Sequence, residues 1–497
     1  MKKLVWGVTF YFLFNSLSFA DTVYLKSGKK ITGEIVEQTD EKIRINFDKV
    51  MLTFWHNEID RIDKNPPEEP SPGDVPQYRE KNFYLLAVTK LKEPPAEKNF
   101  YIHQILPDIV ANGWKEDPRI NDLLNDNREA IDLFKKATQQ NSDGYIFGDK
   151  KEVHLTKSLV HNYFAYINLF RLVLIQASEH LSKGEYQAAQ EDYLANIKFL
   201  KHLGQQKAGM SLGGIHQLII LNIFEPILIQ TLQKNYFDKN FYEKALTELS
   251  SVNNDEGSLK DLLTDENDFQ LANRESLKDA AREKSAHNWE FLAEYITRCK
   301  RESQKLLQYQ FKTIDAKSEE MFNPKTDEIL GLIDEKEIVK RQREFSKGVA
   351  FDVTDDGRLT ASKESLEQFI SNIAQDIDFY VKMELISTAR LMPRIISNHF
   401  TVVAKQNNML VGVAIKLYQL DNPGKLPEKL TDLVPQYLPA VPADPFNHFQ
   451  PIKYVKKENG YLLYSLGPDR IDQLGEKKLN AEKPADKDGD IVLTILE

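Results

Sequence analysis

Proline sets the first limit on how this chain of 497 residues can fold, because it is concentrated in two short stretches. Residues 64–78, KNPPEEPSPGDVPQY, contain five prolines, and residues 421–446, DNPGKLPEKLTDLVPQYLPAVPADPF, contain six. Proline lacks a backbone N–H and clashes with the carbonyl four residues earlier, so neither stretch favours a continuous helix. The longest segment without such a concentration of proline lies between these two stretches.

The segments around these stretches have different hydrophobic periods. Residues 79–394 carry apolar side chains at three- and four-residue steps, as helices do, whereas residues 21–63 alternate apolar and polar side chains, as strands do. The length exceeds the roughly 100–200 residues of one domain. We therefore predict a mainly α multidomain protein with a small β-barrel (21–63), a proline-rich linker (64–78), a helical domain (79–394) and an α+β domain (395–497).

The first 20 residues have the pattern of a secretory signal peptide. Lys2 and Lys3 precede the apolar run LVWGVTFYFLF, and Ser18 and Ala20 place small residues where signal peptidase reads them. The run falls short of the roughly 20 residues that a membrane span needs. We predict cleavage after Ala20 and a periplasmic or secreted protein, with an uncleaved anchor as the alternative.

Charge and cysteine content argue against several functions. Removal of residues 1–20 takes away Lys2 and Lys3 and no acid, so the formal charge goes from −10 to −12. This charge argues against nucleic acid as a partner, because phosphate binding needs a basic surface. Cys299 is the single cysteine, which excludes an intramolecular disulfide and a metal site built on several thiolates.

Residues 21–63 predict a compact β-unit. Apolar residues recur at even spacing, and Gly28 and Gly33 mark turns, which gives four or five short strands. So small a sheet avoids open edges best by closing into a barrel. Residues 21–35, DTVYLKSGKKITGEI, are similar to the SH3-like or Sm-like barrels of bacterial exported proteins. That resemblance implies binding of a partner rather than catalysis.

The helical domain is expected to contain an αα-hairpin. Two amphipathic patterns end at Gly184 and Gly204, which are natural helix C-caps. KGEYQAAQEDY (183–193) resembles part of a tetratricopeptide unit, although its repeat is not found at the proper period. The most apolar internal run, residues 214–232, is interrupted by Glu225 and Pro226, which favours a buried helix over a membrane span. Pro393 predicts a break in the last helices.

Catalytic motifs are incomplete. Residues 209–213 match G-x-S-x-G around Ser211, but the nucleophile elbow needs a strand before the serine, and the preceding segment is predicted to be helical. A glycine-rich connection between helices is the favoured interpretation. An unrecognised hydrolase that uses Ser211, or the acid pair Glu185 and Glu191, is the alternative.

Residues 352–364, DVTDDGRLTASKE, imitate a calcium-binding loop. The acids and glycine fit its first half, but position 12, which needs a bidentate carboxylate, is Lys363. A β-hairpin that turns at residues 355–357 is the favoured interpretation.

The end of the chain offers a better candidate for a cation site. The strand GYLLYSL (460–466) leads into the turn at Gly467 and Pro468, and carboxylates follow at Asp469, Asp472, Asp486, Asp488 and Asp490. Five carboxylates around one loop repel each other unless they are solvated or bridged, and Ca²⁺ takes six to eight oxygen ligands. From the residues alone, a calcium site and an exposed acidic loop stay open alternatives.

Residues 424–446, followed by GYLLYSLGPDRID and DKDGDI, resemble the C-terminal domain of the major pseudopilin of type II secretion systems. That family follows a long helix with a proline-rich loop, and then has strands that carry these tyrosine- and aspartate-rich motifs. Its members bind one calcium ion in the last loop. The resemblance implies side-chain ligands at Asp469, Asp488 and Asp490 and a carbonyl ligand at Leu466.

The chain departs from that family in three ways. Asn447 and His448 stand where the family has a glycine, and the loop between Asp469 and Asp488 is longer and more basic. A conventional signal and several hundred residues precede the resembling part, whereas pseudopilins begin with a prepilin cleavage site and a polymerising helix. The overall layout is also similar to exported proteins of planctomycete-like bacteria, which implies no activity.

Together these observations predict an exported, non-enzymatic interaction or scaffold protein of the cell envelope. We expect a protein partner, a structural calcium ion, no nucleic acid and no stable membrane span after signal cleavage. An accessory role in a type II secretion or pilus-like machine is a further alternative.

Overall fold

In the computed structural model, contacts group the chain into two compact units, Met1–Lys81 and Asn82–Glu497. The described residues are 21–26, 30–39, 42–47, 50–55, 59–63, 82–92, 101–140, 157–204, 211–250, 256–317, 319–322, 340, 349–353, 359–476 and 489–496. The predicted signal (1–20) and linker (64–78) lie outside them.

The first unit contains a five-stranded antiparallel sheet. Its strands are β1 Asp21–Leu25, β2 Lys30–Gln38, β3 Lys42–Phe47, β4 Val50–Trp55 and β5 Ile59–Asp63, in the order β4-β3-β2-β1-β5. Apolar residues pair across neighbouring strands, as Ile35 does with Ile45 and Ile43 does with Phe54. The predicted short strands are therefore confirmed, and closure into an SH3-like barrel stays a prediction.

The second unit is mainly helical, as predicted. Its helices are α1 Phe83–Lys90, α2 Ile102–Asn112, α3 Pro118–Asp126, α4 Arg128–Thr138, α5 Lys157–Ser182, α6 Tyr186–Gly204, α7 Ser211–Gln233, α8 Lys239–Ser250, α9 Glu256–Glu283, α10 Glu290–Asp315, α11 Lys363–Gln375 and α12 Ile377–Asp421. Short polar residues begin several of them, because a side-chain oxygen accepts from a backbone N–H that the first turn leaves unpaired. Asn82, Asp117, Ser362 and Asp376 make this contact.

The predicted αα-hairpin is formed by α5 and α6. Gly184 adopts a positive φ of 75° in the turn, and the N–H of Glu185 donates to the carbonyl of His180 at 2.8 Å. Such a left-handed residue ends a helix and is taken most readily by glycine. The hairpin packs through Phe170, Ile197 and Leu200, which are fully buried.

The longest helix, α12, connects three hydrophobic clusters. It has 45 residues, and at 1.5 Å per residue it extends about 68 Å. Val381 and Leu385 pack with α9, α10 and α11, whereas Val411 and Ile415 belong to the large core that includes α1–α8. Between these two parts, Ile396 and Phe400 form a third cluster with the start of α9 and the end of α10.

Two sequence predictions about α12 differ from this structure. The predicted break at Pro393 is wrong, because α12 continues through that residue. A proline interrupts one helical hydrogen bond, and the packing on both sides offsets this loss. The predicted domain boundary at 394/395 falls inside α12, and the described residues on its two sides belong to one compact unit.

A small antiparallel sheet packs beside α12. Its strands are β8 Lys453–Lys457, β9 Gly460–Ser465 and β10 Ile491–Leu496, in the order β10-β9-β8. Every residue of β9 is buried, because its alternate side chains enter different clusters: Tyr461 and Leu463 face the large core, and Leu462 and Tyr464 face the third cluster. A strand covered on both faces has a continuous apolar run, which is the pattern that predicted it.

The imitation of a calcium loop at 352–364 lies in a hairpin. Strands Phe351–Val353 and Leu359–Ala361 (β6 and β7) pair antiparallel, which confirms the favoured interpretation, while the turn itself lies outside the described residues.

The apolar run at 214–232 lies in α7, which packs on α12. Glu225 contacts Lys405 of α12 at 2.5 Å, with side chains only 11% and 14% exposed. The ammonium of Lys416, also on α12, donates to the carbonyl of Leu232 at 2.8 Å near the C-terminus of α7. Among the described residues no helix combines the length and the apolar character that crossing a bilayer requires.

The Glu225–Lys405 pair gives the first testable prediction. Lys405→Met should lower the free energy of unfolding by about 3–5 kcal/mol, because it leaves the Glu225 carboxylate buried without its partner. The double variant Glu225→Leu, Lys405→Met should recover most of this loss, because an apolar pair replaces the ion pair. Urea unfolding of the full chain measures both.

Lys183→Met is the matched control, since Lys183 bonds Glu179 at 2.7 Å in a pair whose lysine is 47% exposed. It should change stability by about 0.5 kcal/mol or less. If Lys405→Met and the double variant lose the same free energy of unfolding, the loss does not come from an unpaired buried charge at Glu225.

Candidate functional site

The turn after β9 lies directly against the residues that precede β10. Ser465 pairs with Ile491 in the β9–β10 ladder, so Gly467 is opposite Gly489. Gly467 has a φ of 68°, and a Cβ atom there would lie 2.1 Å from the carbonyl oxygen of Gly489. This close approach requires glycine at 467. It brings the loop 467–476 next to Asp490.

Asp444 holds the start of this loop through hydrogen bonds. No role was assigned to this residue from the sequence. Its fully buried carboxylate accepts from the hydroxyl of Ser465 at 2.6 Å, from the N–H of Leu466 at 2.9 Å and from the N–H of Phe446 at 2.9 Å. It therefore ties the turn of the proline-rich segment to the end of β9. The signal that could have identified it is the D-P step of the motif PADPF, where an aspartate precedes a turn.

Three carboxylates belong to this part of the structure and order its backbone. Asp469 accepts from the N–H of Ile471 at 3.0 Å, and Asp472 accepts from the N–H of Leu474 at 2.9 Å. Asp490 accepts from the N–H of Gly475 at 2.7 Å. The loop 467–476 is therefore fixed by its own aspartates and by Asp490, which directly precedes β10, the strand next to β9.

The environments of these carboxylates differ. Burial raises the pKa of Asp490, and the nearby charges of Asp472 and Asp469 raise it further, although two backbone N–H groups oppose the shift. The pKa of Asp472 is lowered, chiefly by the N–H of Leu474 and then by Tyr464 and Lys453. A nearby cation would favour the ionised form of Asp490 and oppose this upward shift of its pKa.

Gln473 lies between two of the aspartates. Its Nε2 donates to Asp469 at 2.6 Å, and its backbone N–H is 3.4 Å from an oxygen of Asp490. Its side-chain oxygen is buried and has no hydrogen-bond partner within the described ranges. Because Nε2 faces a carboxylate, the orientation of the amide is fixed, and the remaining oxygen is an unused acceptor.

Three of the four predicted calcium ligands, Asp469, Asp490 and Leu466, lie among the described residues. Asp469 and Asp490 are joined through Gln473, and Leu466 precedes Gly467 with its N–H bound to Asp444. Asp488 lies outside the described residues. Within the described part of the chain, no group of three or more His, Cys, Asp or Glu side chains is arranged to hold a metal ion. The calcium site therefore stays a prediction that depends on Asp488 and on oxygens other than carboxylates.

The residues of the enzymatic alternative lie elsewhere. Ser211 is the first residue of α7, and the segment 205–210 before it is outside the described residues. Glu185 and Glu191 line one open groove of about 570 Å³ together with Tyr186 and Gln187. Both carboxylates are exposed.

A second polar cluster, which sequence reasoning missed, joins α4, α5 and α6. The fully buried carboxylate of Asp192 contacts the ammonium of Lys135, the amide of Gln176 at 3.2 Å and Nδ1 of His180 at 2.9 Å. Nε2 of His180 is 3.7 Å from Glu185. The hydrogen bond to Asp192 raises the pKa of His180, and the charges of Asp192, Glu185 and Glu179 add to the shift against the effect of burial.

Comparison with known proteins identifies no relative of this chain. No protein-family model, no curated protein and no solved structure matches this chain.

The anchor at Asp444 gives the second prediction. Asp444→Asn should lower the free energy of unfolding by about 2–3 kcal/mol, because one acceptor oxygen becomes an NH₂ group that faces buried donors. Urea unfolding measures the loss. Asp126→Asn, whose side chain is 65% exposed on α3, is the matched control and should leave stability unchanged. A neutral result at Asp444 would show that the three hydrogen bonds do not hold the loop.

His180 gives the third prediction, which concerns pH. A histidine whose pKa is raised on folding stabilises the native state below its unfolded pKa of about 6.5, and this stabilisation is lost as pH rises through the higher folded value. His180→Gln should therefore destabilise the protein more at pH 5.5 than at pH 8.5. Chemical unfolding at both pH values gives the difference.

His103→Gln, on the exposed face of α2, is the control for this comparison. If the loss caused by His180→Gln does not change with pH, the Asp192 contact does not favour the imidazolium.

Proposed function

We propose that this protein is an exported, non-enzymatic interaction or scaffold protein of the cell envelope, and that a calcium ion stabilises its C-terminal part. The observation that carries the calcium proposal is that Gln473 contacts both Asp469 and Asp490 in the loop after β9, while its own buried side-chain oxygen has no hydrogen-bond partner among the described residues. These are hard oxygen donors, which Ca²⁺ prefers over nitrogen or sulfur.

The donors fit the ion in type and in charge. Asp469, Asp488 and Asp490 would supply carboxylates, Leu466 and Gln473 would supply neutral oxygens, and bidentate carboxylates or water would complete the six to eight ligands. When bound, calcium would neutralise the mutual repulsion that contributes to the raised pKa of Asp490. The role is structural: the ion would hold the loop 467–476 against the residues that precede β10.

The interaction role has three supports. The signal-like start of the chain favours export, and the small β-unit and the pseudopilin-like segment resemble modules that bind other molecules. The acid pair Glu185 and Glu191 is exposed on an open surface, which favours an interaction role over the enzymatic alternative.

Calcium removal is the fourth prediction. The melting temperature of the full chain should be higher with calcium than with chelator, because a ligand that binds only the native state stabilises it by about 2.7 kcal/mol at one hundred times its Kd. Asp469→Asn and Asp490→Asn should each abolish the calcium-dependent rise. Differential scanning calorimetry with calcium, magnesium or chelator measures it.

Asp126→Asn, on α3, is the matched charge control and should keep the full calcium response. Magnesium, which is smaller and holds its waters more tightly, should give a smaller rise. An identical melting temperature in calcium and chelator would overturn the calcium proposal.

A further inference from the structure

Two large aliphatic side chains stand out from the loop 467–476. Leu474 is 71% exposed and Ile471 is 61% exposed. Single exposed apolar residues are ordinary on protein surfaces, but these two lie three positions apart in one short loop. We call them the aliphatic pair.

The loop holds the aliphatic pair in a fixed position. The N–H of Ile471 is bound by Asp469, and the N–H of Leu474 is bound by Asp472. Behind the pair, a Cβ atom on Gly475 would lie 2.2 Å from the side chain of the buried Leu462, so this end of the loop is packed directly on the sheet.

The backbone of Leu474 is also strained. Leu474 has a φ of 60°, a left-handed conformation that an L-leucine side chain disfavours. Strained residues persist only where the surrounding structure fixes them, and they cluster at functional sites. The hydrogen bonds and the contact at Gly475 fix a conformation that directs a leucine toward solvent.

The charges around the pair define what fits it. Asp472 lies between the two residues in sequence, and the exposed Glu476 follows them. Asp472 interacts with Lys453 at 3.5 Å, while its side chain stays 35% exposed. A complementary surface therefore has an apolar recess for two aliphatic groups and a basic residue at its rim.

We propose that the aliphatic pair, Ile471 and Leu474, is the docking point for a protein partner that presents an apolar recess with lysine or arginine at its rim. This inference rests on the proposed interaction role and specifies its partner. Rigid presentation favours binding, because the loop loses little conformational freedom when the partner docks.

The single native cysteine makes a direct test practicable. Cys299 is buried and its pKa is raised by burial to about 11, so it should react poorly with thiol reagents. Leu474→Cys in the full chain then introduces one reactive thiol, which is labelled with a benzophenone maleimide. Glu458→Cys, in the exposed turn between β8 and β9, carries the same label as the control.

The labelled proteins are irradiated in the envelope fraction of cells that produce the chain, and the crosslinked peptide is mapped. We expect a discrete adduct from position 474 and none of comparable yield from position 458. The mapped peptide should contain aliphatic residues flanked by lysine or arginine. The proposal would be overturned if the reagent cannot reach the thiol at 474, if positions 474 and 458 give equal adducts, or if the mapped peptide is acidic. An adduct with a second copy of this chain would overturn it as well.

The identified partner is then purified, and its affinity is measured by calorimetry for the wild type and for Ile471→Ser, Leu474→Asn. Asparagine tolerates the left-handed conformation, so this variant should stay folded, which its melting curve checks. Affinity should fall about tenfold or more, as expected when central apolar contacts are removed. An unchanged affinity in the folded variant would overturn the docking point.

The outcome is separable from that of the calcium proposal. A calcium-dependent rise in melting temperature without a specific adduct at 474 would leave the calcium ion and remove the docking point. A specific adduct at 474 without a calcium-dependent rise in melting temperature would leave the docking point and remove the calcium ion.

Discussion

The second unit of the protein depends on a single packing constraint: α12 must bury different parts of its length in three separate hydrophobic clusters. Its first part packs with α9–α11, its middle with one face of the small sheet, and its last part with the large helical core. A 45-residue helix is stable in water only when such packing supports it along its length. The buried Glu225–Lys405 pair and the contact of Lys416 with the end of α7 then fix its position.

The candidate site depends on this packing indirectly. Because β9 is buried on both faces, its end is fixed, and Asp444 can hold the following turn with three hydrogen bonds. In the loop after this turn, Gln473 contacts both Asp469 and Asp490, and Ile471 and Leu474 are exposed. The proposed cation site and the proposed docking point would therefore share one loop. A bound calcium ion would stabilise the loop that presents the aliphatic pair.

Much of the secondary structure follows from the sequence, and the failures have a physical cause. Periodicity and glycine caps predicted the α5–α6 hairpin, and continuous apolar runs predicted α7 and β9, because these signals act within a few residues. Pro393 misled the prediction, since a local rule says that proline ends a helix, whereas packing on both sides carries α12 through it. Of the site, Asp469, Asp490 and Leu466 were identified from a motif, but Asp444 and Gln473 were not, because their roles arise from contacts with residues distant in sequence or across the sheet.

The sequence by itself determined where helices and strands can form, which segments proline excludes from long helices, and which carboxylates gather near the last strands. These are consequences of backbone sterics and short-range periodicity. Only the tertiary structure decided that residues on both sides of position 394 share one compact unit, that a buried aspartate anchors the acidic loop, and that two aliphatic side chains face solvent. Burial and long-range hydrogen bonds set these features, and neither is encoded in any short stretch of the chain.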